Sequence, residues 1–397
     1  MAVTFPARVV AGRILACAVT VGAVLTGASP AHAATVGWPQ QAFGPGRTFF
    51  NPNESVITAA TIGTVHQRWS RSLPRAAGSC SAPTSPVVGN GLVYVGDETG
   101  VGAYRASTGR PVWRHRWPAP GDDDQSPFLA LAGGLLLVAN TGCQSQSDPN
   151  GSLLALDPVT GVQRWRVVSD PPIASLVVDR GVAVVSGESP SDLAAVTAYR
   201  VSDGRQVWRR TNLASSGVSA AGRIFLTRTN RTGTVAASLT TGATLWQRAP
   251  RYLAHTTTPA GDLVYAADTA DNLICLDARN GAVRWRAAGV AFREATDGRR
   301  VYLLAGGGIR ALDARTGRRL WSRTFRGDPD QPVRAAGLVY AKVDAGVGLA
   351  ILNATAGRVV TSGTRFGDFV EDEGNPPVVA DGTLYIVSGG VLRAFGP

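Results

Sequence analysis

The 397-residue chain is poor in the residues that most enzyme chemistries require. It has four cysteines and four histidines, and Lys342 is its single lysine. Only His66, His115 and His255 lie beyond the first 33 residues, no two of them close in sequence. There is no His-Glu-x-x-His, no Gly-x-Ser-x-Gly and no Cys-x-x-Cys, which leaves a zinc hydrolase, a serine triad or a dithiol redox centre without sequence support. Gly306-Gly-Gly308 and Gly389-Gly390 sit between paired apolar runs and read as hairpin turns, not as phosphate cradles. Beyond residue 33, no apolar run approaches the ~20 residues a membrane helix needs.

What is present is repetition. The stretch Ala155-Leu-Asp-Pro-Val-Thr-Gly-Val-Gln-Arg-Trp165 returns as Ala103 to Trp113, Ala198 to Trp208, Ala236 to Trp246, Cys275 to Trp285 and Ala311 to Trp321. Each copy has a Gly four residues before the Trp, at Gly109, Gly161, Gly204, Gly242, Gly281 and Gly317. Between copies lies a Gly or Asp-Gly turn followed by a short apolar run, as in Gly91-Leu-Val-Tyr-Val95 and Asp381-Gly-Thr-Leu-Tyr385. A period near forty residues signals units that bury their apolar faces only by stacking on one another. Runs of four or five Val, Leu, Ile, Tyr and Ala bounded by Gly, Asp, Asn and Pro read as strands, so each unit is a four-stranded antiparallel sheet.

The pattern Ala-x-Asp-x-x-Thr-Gly-x-x-x-Trp resembles the tryptophan-docking repeat of the pyrroloquinoline-quinone-like β-propellers. That superfamily holds quinone-dependent dehydrogenases and the propeller lipoprotein of bacterial outer-membrane protein assembly. Two copies are complete, Ala155 to Trp165 and Ala311 to Trp321; others depart at the Asp, with Arg105, Arg200 and Ser238. Trp69, Trp113, Trp165, Trp208, Trp246, Trp285, Trp321 and the Thr361 position mark eight outer strands, 36 to 52 residues apart. The expected fold is all-β, an eight-bladed propeller of four-stranded antiparallel blades, with the strand around Trp69 completing the last blade and closing the ring; seven blades is the alternative count. These indoles are expected to lock neighbouring blades. The Thr361 interface, lacking a Trp, is expected to be the weakest.

Residues 1–33 read as an export leader, with Arg8 and Arg13, an apolar stretch and small residues at Ala31-His-Ala33, cut after Ala33. The competing reading makes Cys17 a lipid-anchor site. Residues 34–55, rich in Gly, Pro and Gln with Trp38, Phe43, Phe49 and Phe50, are expected to wrap against the propeller formed by residues 56–397. Cys80 and Cys143 fall in loops on one face of the ring, and a disulfide between them would close a loop of about 63 residues, contributing roughly 4 kcal/mol. Cys275 takes the small-residue slot of the repeat and is expected to be buried.

The formal charge is +11, or +9 without Arg8 and Arg13. Arginines cluster around the outer-strand tryptophans, as at Arg114, Arg116, Arg164, Arg166, Arg209 and Arg210, which points to a structural rim and not to nucleic-acid binding. Carboxylates gather instead in the loops that lead from an outer to the next inner strand. Asp122, Asp123, Asp124, Asp328, Asp330, Asp368, Glu371, Asp372 and Glu373 form the candidate binding face, joined by Asp170 and Glu294. The dehydrogenases of the family are marked by an adjacent cysteine pair and a calcium held by acidic and amide side chains. This chain has no Cys-Cys, so neither the quinone nor calcium is expected. The expected function is a secreted, monomeric, non-catalytic scaffold that binds a protein or a cell-envelope polymer. A quinone-dependent dehydrogenase, or a carbohydrate-active propeller using mouth carboxylates as acid and base, is the alternative.

Overall fold

A computed structural model describes Met1 and residues 37–397, apart from positions 78, 80, 118–125, 142–149, 231, 289–292, 368 and 370–374. The leader, Cys17, Cys80, Cys143, Asp122 to Asp124, Asp368 and Glu371 to Glu373 therefore lie outside the described residues.

Eight sheets follow one another along the chain, antiparallel except where Phe50–Asn51 joins the seventh in parallel, and no α-helix occurs among the described residues. Blade 1 runs from Val87 to Arg116, blade 2 from Phe128 to Ser169, blade 3 from Ser175 to Thr211 and blade 4 from Leu213 to Arg248. Blade 5 runs from Leu253 to Ala287, blade 6 from Glu294 to Thr324 and blade 7 from Val333 to Gly363. Blade 8 takes its three inner strands from Val378 to Gly396 and its outer strand, His66–Ser72, from the other end of the chain. Trp69 pairs with Ala394 across that junction, so the closure expected from the order of the repeats is present. A sheet closed this way leaves no open seam between first and last blades.

The repeat's residue types have separate local causes. Its Ala, or Cys275 in blade 5, sits directly across the strand pair from each Trp, as in Ala155 opposite Trp165 and Cys275 opposite Trp285. Cys275 is fully buried, and burial pushes its thiol up to about 12, which makes it core and not a nucleophile. The Asp caps the turn to the outer strand: Asp157 Oδ1 accepts from the backbone N–H of Val159 and Thr160, both at 3.0 Å. Its Oδ2 accepts from Arg164 at 2.6 Å, and these bonds, led by the guanidinium, hold the carboxyl down at about 2.

Strict strand alternation does not hold at the tryptophans. In blade 2 Gln163 pairs with Leu156 and Trp165 with Ala155, so Arg164 is bulged out of the ladder. The same shift recurs beside every outer-strand Trp. Bulged residues face solvent, which is why Val112, Val207, Leu245 and Leu320 are exposed on a strand that otherwise buries its apolar side.

Candidate functional site

Two sets of contacts organise the molecule: those between blades and those lining the central channel.

Between blades, each indole N–H donates to a backbone carbonyl of the following blade. Trp69 donates to Ala106, Trp113 to Pro158, Trp165 to Val201, Trp208 to Leu239, Trp246 to Ala278, Trp285 to Ala314 and Trp321 to Ala354, at 2.8 to 3.1 Å. The indole lies on the turn glycine of that next blade. A Cβ built on Gly109, Gly161, Gly204, Gly242, Gly281, Gly317 or Gly357 would sit 2.5 to 2.8 Å from the ring. These glycines also carry φ between +65° and +73°. The turn needs glycine for its backbone angle, and the neighbouring blade needs it for room. Two residues beyond the Trp, on the same face, an arginine spans the same gap: Arg71 reaches the carbonyl of Gly109 at 2.7 Å, Arg210 that of Gly242 at 3.0 Å and Arg323 that of Gly357 at 3.1 Å. These rim arginines are held by the fold.

Blade 7 has no Trp because blade 8 has no turn to receive one. Thr361 pairs with Ile351 where an indole would stand, and in blade 8 the third and fourth strands are joined by no hairpin, since they come from opposite ends of the chain. Residues 54–65 occupy that place, burying Ile57, Ile62 and Val65. In blades 1 and 5 a second-strand tyrosine, Tyr94 or Tyr265, donates to the same carbonyl as the blade's Trp, while in blade 6 Tyr302 stands 3.4 Å from that carbonyl and donates to Asp297 at 3.1 Å. In blade 7 the equivalent Tyr340 donates to Ile57 at 3.3 Å, so the lead-in segment supplies the missing acceptor. Glu54 fastens it: one carboxylate oxygen accepts from Val56 and Ile57 N–H at 2.8 and 3.1 Å, the other from Gly382 N–H at 3.0 Å.

Along the channel, residues 38–51 run past the innermost strand of every blade in order. Trp38 exchanges two backbone bonds with Val88 in blade 1, Pro39 accepts from Leu131 in blade 2, and the Gln40 side chain donates to Val178 in blade 3. Pro45, Gly46, Thr48 and Phe49 then accept from Ser219, Thr257, Thr296 and Arg334 of blades 4 to 7, and Asn51 Nδ2 donates to Val379 in blade 8 at 2.8 Å. The free inner edges, which would otherwise need water or a ligand, are met by the chain itself.

This strap separates two cavities. One, about 340 Å³, lies against the hairpin turns of blades 3 to 5, with Phe43, Phe50, Asp179 and Arg180 in its wall. The other, about 300 Å³, lies on the side of the loops entering the innermost strands, between blades 6, 7, 8 and 1. Of the carboxylates expected at this mouth, Asp330 lines the second cavity and is ion-paired with Arg293, while Asp328 is tied by its backbone N–H to Asp344. Glu294, expected in a solvated loop, begins the innermost strand of blade 6 instead, with its side chain 1 % exposed and 3.6 Å from His255 Nδ1. Arg47, which no motif or repeat position marks, lines the same cavity from the strap.

A family model described as outer membrane protein assembly factor BamB matches residues 53–239 and 231–395. The chain belongs to this family. BamB of Bordetella pertussis (strain Tohama I) is 26 % identical over 230 residues, 55 % of this chain, which itself spans 56 % of that protein. The crystal structure of BamB from Moraxella catarrhalis superposes with a TM-score of 0.58 at 18 % identity, covering 84 % of this chain and 98 % of that one. The quinohemoprotein alcohol dehydrogenase from Comamonas testosteroni superposes with a TM-score of 0.69 at 14 % identity, over 91 % and 81 % of the two chains, a likeness of fold alone. Among the described residues, nothing at the channel matches the adjacent cysteine pair and calcium ligands of the family's dehydrogenases. No two cysteines are adjacent, and among the described residues no three His, Cys, Asp or Glu converge on a metal position. The innermost strands along the channel are bonded to residues 38–51. His66, His115 and His255 stand in blades 8, 1 and 5.

Proposed function

We propose that this protein is an extracytoplasmic, non-catalytic binding platform that joins protein partners at the cell envelope, exported by a leader cut after Ala33 and acting as a monomer. The observation that carries this reading is the family match along almost the whole propeller, to a model described as an assembly factor. Two features support it. The channel's inner edges are occupied by the chain's own strap, and the two faces and the bulged, apolar-tipped outer strands are the surfaces left for contact. Loops on a rigid ring are suited to that work, and the loops entering the inner strands carry the acidic residues, Asp122 to Asp124 and Glu371 to Glu373 among them.

The test pairs two measurements on the purified protein. In cross-linking against a defined envelope fraction, one or more envelope proteins should be recovered at near-equal stoichiometry, and recovery should fall when Asp122, Asp123 and Asp124 are changed to Asn. With added quinone and calcium the protein should show neither a new absorbance band nor dye-linked alcohol oxidation. Oxidation that depends on both additions, with no stoichiometric partner, would replace the platform with an enzyme.

A further inference from the structure

We infer that the hairpin-turn side of the ring docks on an anionic phospholipid surface. In each complete blade the turn between the first and second strands lies at the same end as the turn between the third and fourth. Backbone bonds tie one to the other: Ala106 donates to Gly91, Val201 to Gly181, Ala314 to Arg299 and Ala354 to Gly337. At that end a pair of side chains recurs in blades 1, 3, 6 and 7. The residue after the turn glycine is Arg110, Arg205, Arg318 or Arg358, and two residues further the bulged position carries Val112, Val207, Leu320 or Val360. All of these side chains are exposed. Among the described residues the four arginines make no side-chain hydrogen bond or ion pair, and neither do Arg180 and Arg299 in the first turns of blades 3 and 6.

Charge and apolarity together narrow the partner. The turn-side carboxylates are engaged elsewhere: Asp157 holds Arg164 at 2.6 Å, Asp203 holds Arg200 at 2.7 Å and Asp262 holds Arg315 at 3.1 Å, so the surplus on this side is positive. The apolar surplus lies here too. Among the described residues beyond Met1, the large apolar side chains left exposed stand on the turn side, Val159 at 63 % and Val162 at 56 % foremost, and only Val168 and Leu193 stand on the other. A soluble polyanion would engage the arginines and leave the apolar tips without a role. A compact protein would meet one sector of the ring, whereas the pair is spread around it. A bilayer surface meets all of it, with guanidinium groups at the phosphates and apolar tips among the headgroups. This inference goes beyond the partner-binding reading and is independent of it, because the acidic loops leave from the opposite ends of the strands.

The test is flotation of residues 34–397, a compact unit that holds every strand, with vesicles of phosphatidylglycerol and phosphatidylcholine in equal parts, and with vesicles of phosphatidylcholine alone. Binding to the anionic vesicles should be about tenfold stronger or more at ~0.1 M salt and should fall away at ~1 M. Arg110→Gln, Arg205→Gln and Arg318→Gln together should weaken it about thirtyfold or more. Val112→Ser, Val207→Ser and Leu320→Ser together should weaken it about tenfold with every charge retained. Removing as many arginines from the loop side, by Arg116→Gln, Arg228→Gln and Arg326→Gln, should cost less than about threefold, since those charges stand beyond a screening length from the surface. The substituted side chains are exposed, so all three variants should melt close to the wild type. Absence of binding to the anionic vesicles would overturn the inference. So would equal losses in the two arginine variants, which would make net charge the cause, or an apolar variant that binds like the wild type, which would leave a soluble polyanion as the partner.

Discussion

Trp208→Ala should lower the unfolding free energy by about 3 to 5 kcal/mol, read as a shift of the urea midpoint at constant slope. The side chain is 8 % exposed and packs in a cluster that spans blades 3 and 4, from Val177 and Val184 to Ile224 and Leu226. Its N–H satisfies the Leu239 carbonyl at 2.9 Å, and its ring covers Gly242. Truncation removes the aromatic area, leaves a space that the rigid strands of two blades cannot close, and strips a buried carbonyl of its donor. A loss below about 1 kcal/mol, the size of an ordinary substitution, would mean that the indole is not what holds the two blades together.

Glu54→Ala should be nearly as damaging, at about 2 to 4 kcal/mol, because it deletes a charged acceptor of three backbone N–H groups at the seam. Glu54 is 6 % exposed, and its loss leaves the N–H groups of Ile57 and Gly382 without their partner. Amide exchange should accelerate selectively at Val56, Ile57 and Gly382. A second signature comes from Asp381, whose carboxyl is raised first by burial and then by the nearby Glu54 charge. Removing that charge should bring Asp381 down toward its ordinary value, visible in a carboxyl titration. Unaltered stability together with an unmoved Asp381 would show that residues 54–65 merely lie against the seam.

The architecture was legible because one short repeat carries both halves of the dock. Ala, Asp, Gly and Trp recur at fixed spacing, and the offset between the first Trp strand and the last inner strands foretold that His66–Ser72 would complete blade 8. Three features were not legible. The bulge before each Trp changes the pairing register without changing residue type, so nothing in the residue pattern marks it, although Val112 and Leu245 face solvent as alternation from the Trp implies. Thr361 looked like a lost Trp, yet the missing partner is the turn it would dock on, an absence that belongs to the chain's path and not to any residue. That residues 34–55 wrap was expected, but the strap's path along the channel was not legible, because it bonds mainly through its backbone and takes positive φ at the non-glycine residues Ala42, Phe43, Arg47 and Phe49. Arg47 was hidden for the same reason: one arginine among many, distinguished only by where the strap places it.

The dock itself is tested most directly by a double-mutant cycle between Trp113 and Gly161. A methyl group at Gly161 would stand 2.6 Å from the Trp113 ring, on a backbone with φ of +73°. In the native background Gly161→Ala should cost about 1 to 2 kcal/mol for the backbone angle and a further ~1 to 3 kcal/mol for the clash. With Trp113→Ala already in place only the backbone cost should remain, so the double variant should be more stable than the sum of the two losses by about 1 to 3 kcal/mol. Additivity within about 0.5 kcal/mol would contradict the claim that each indole rests on the glycine of the next blade.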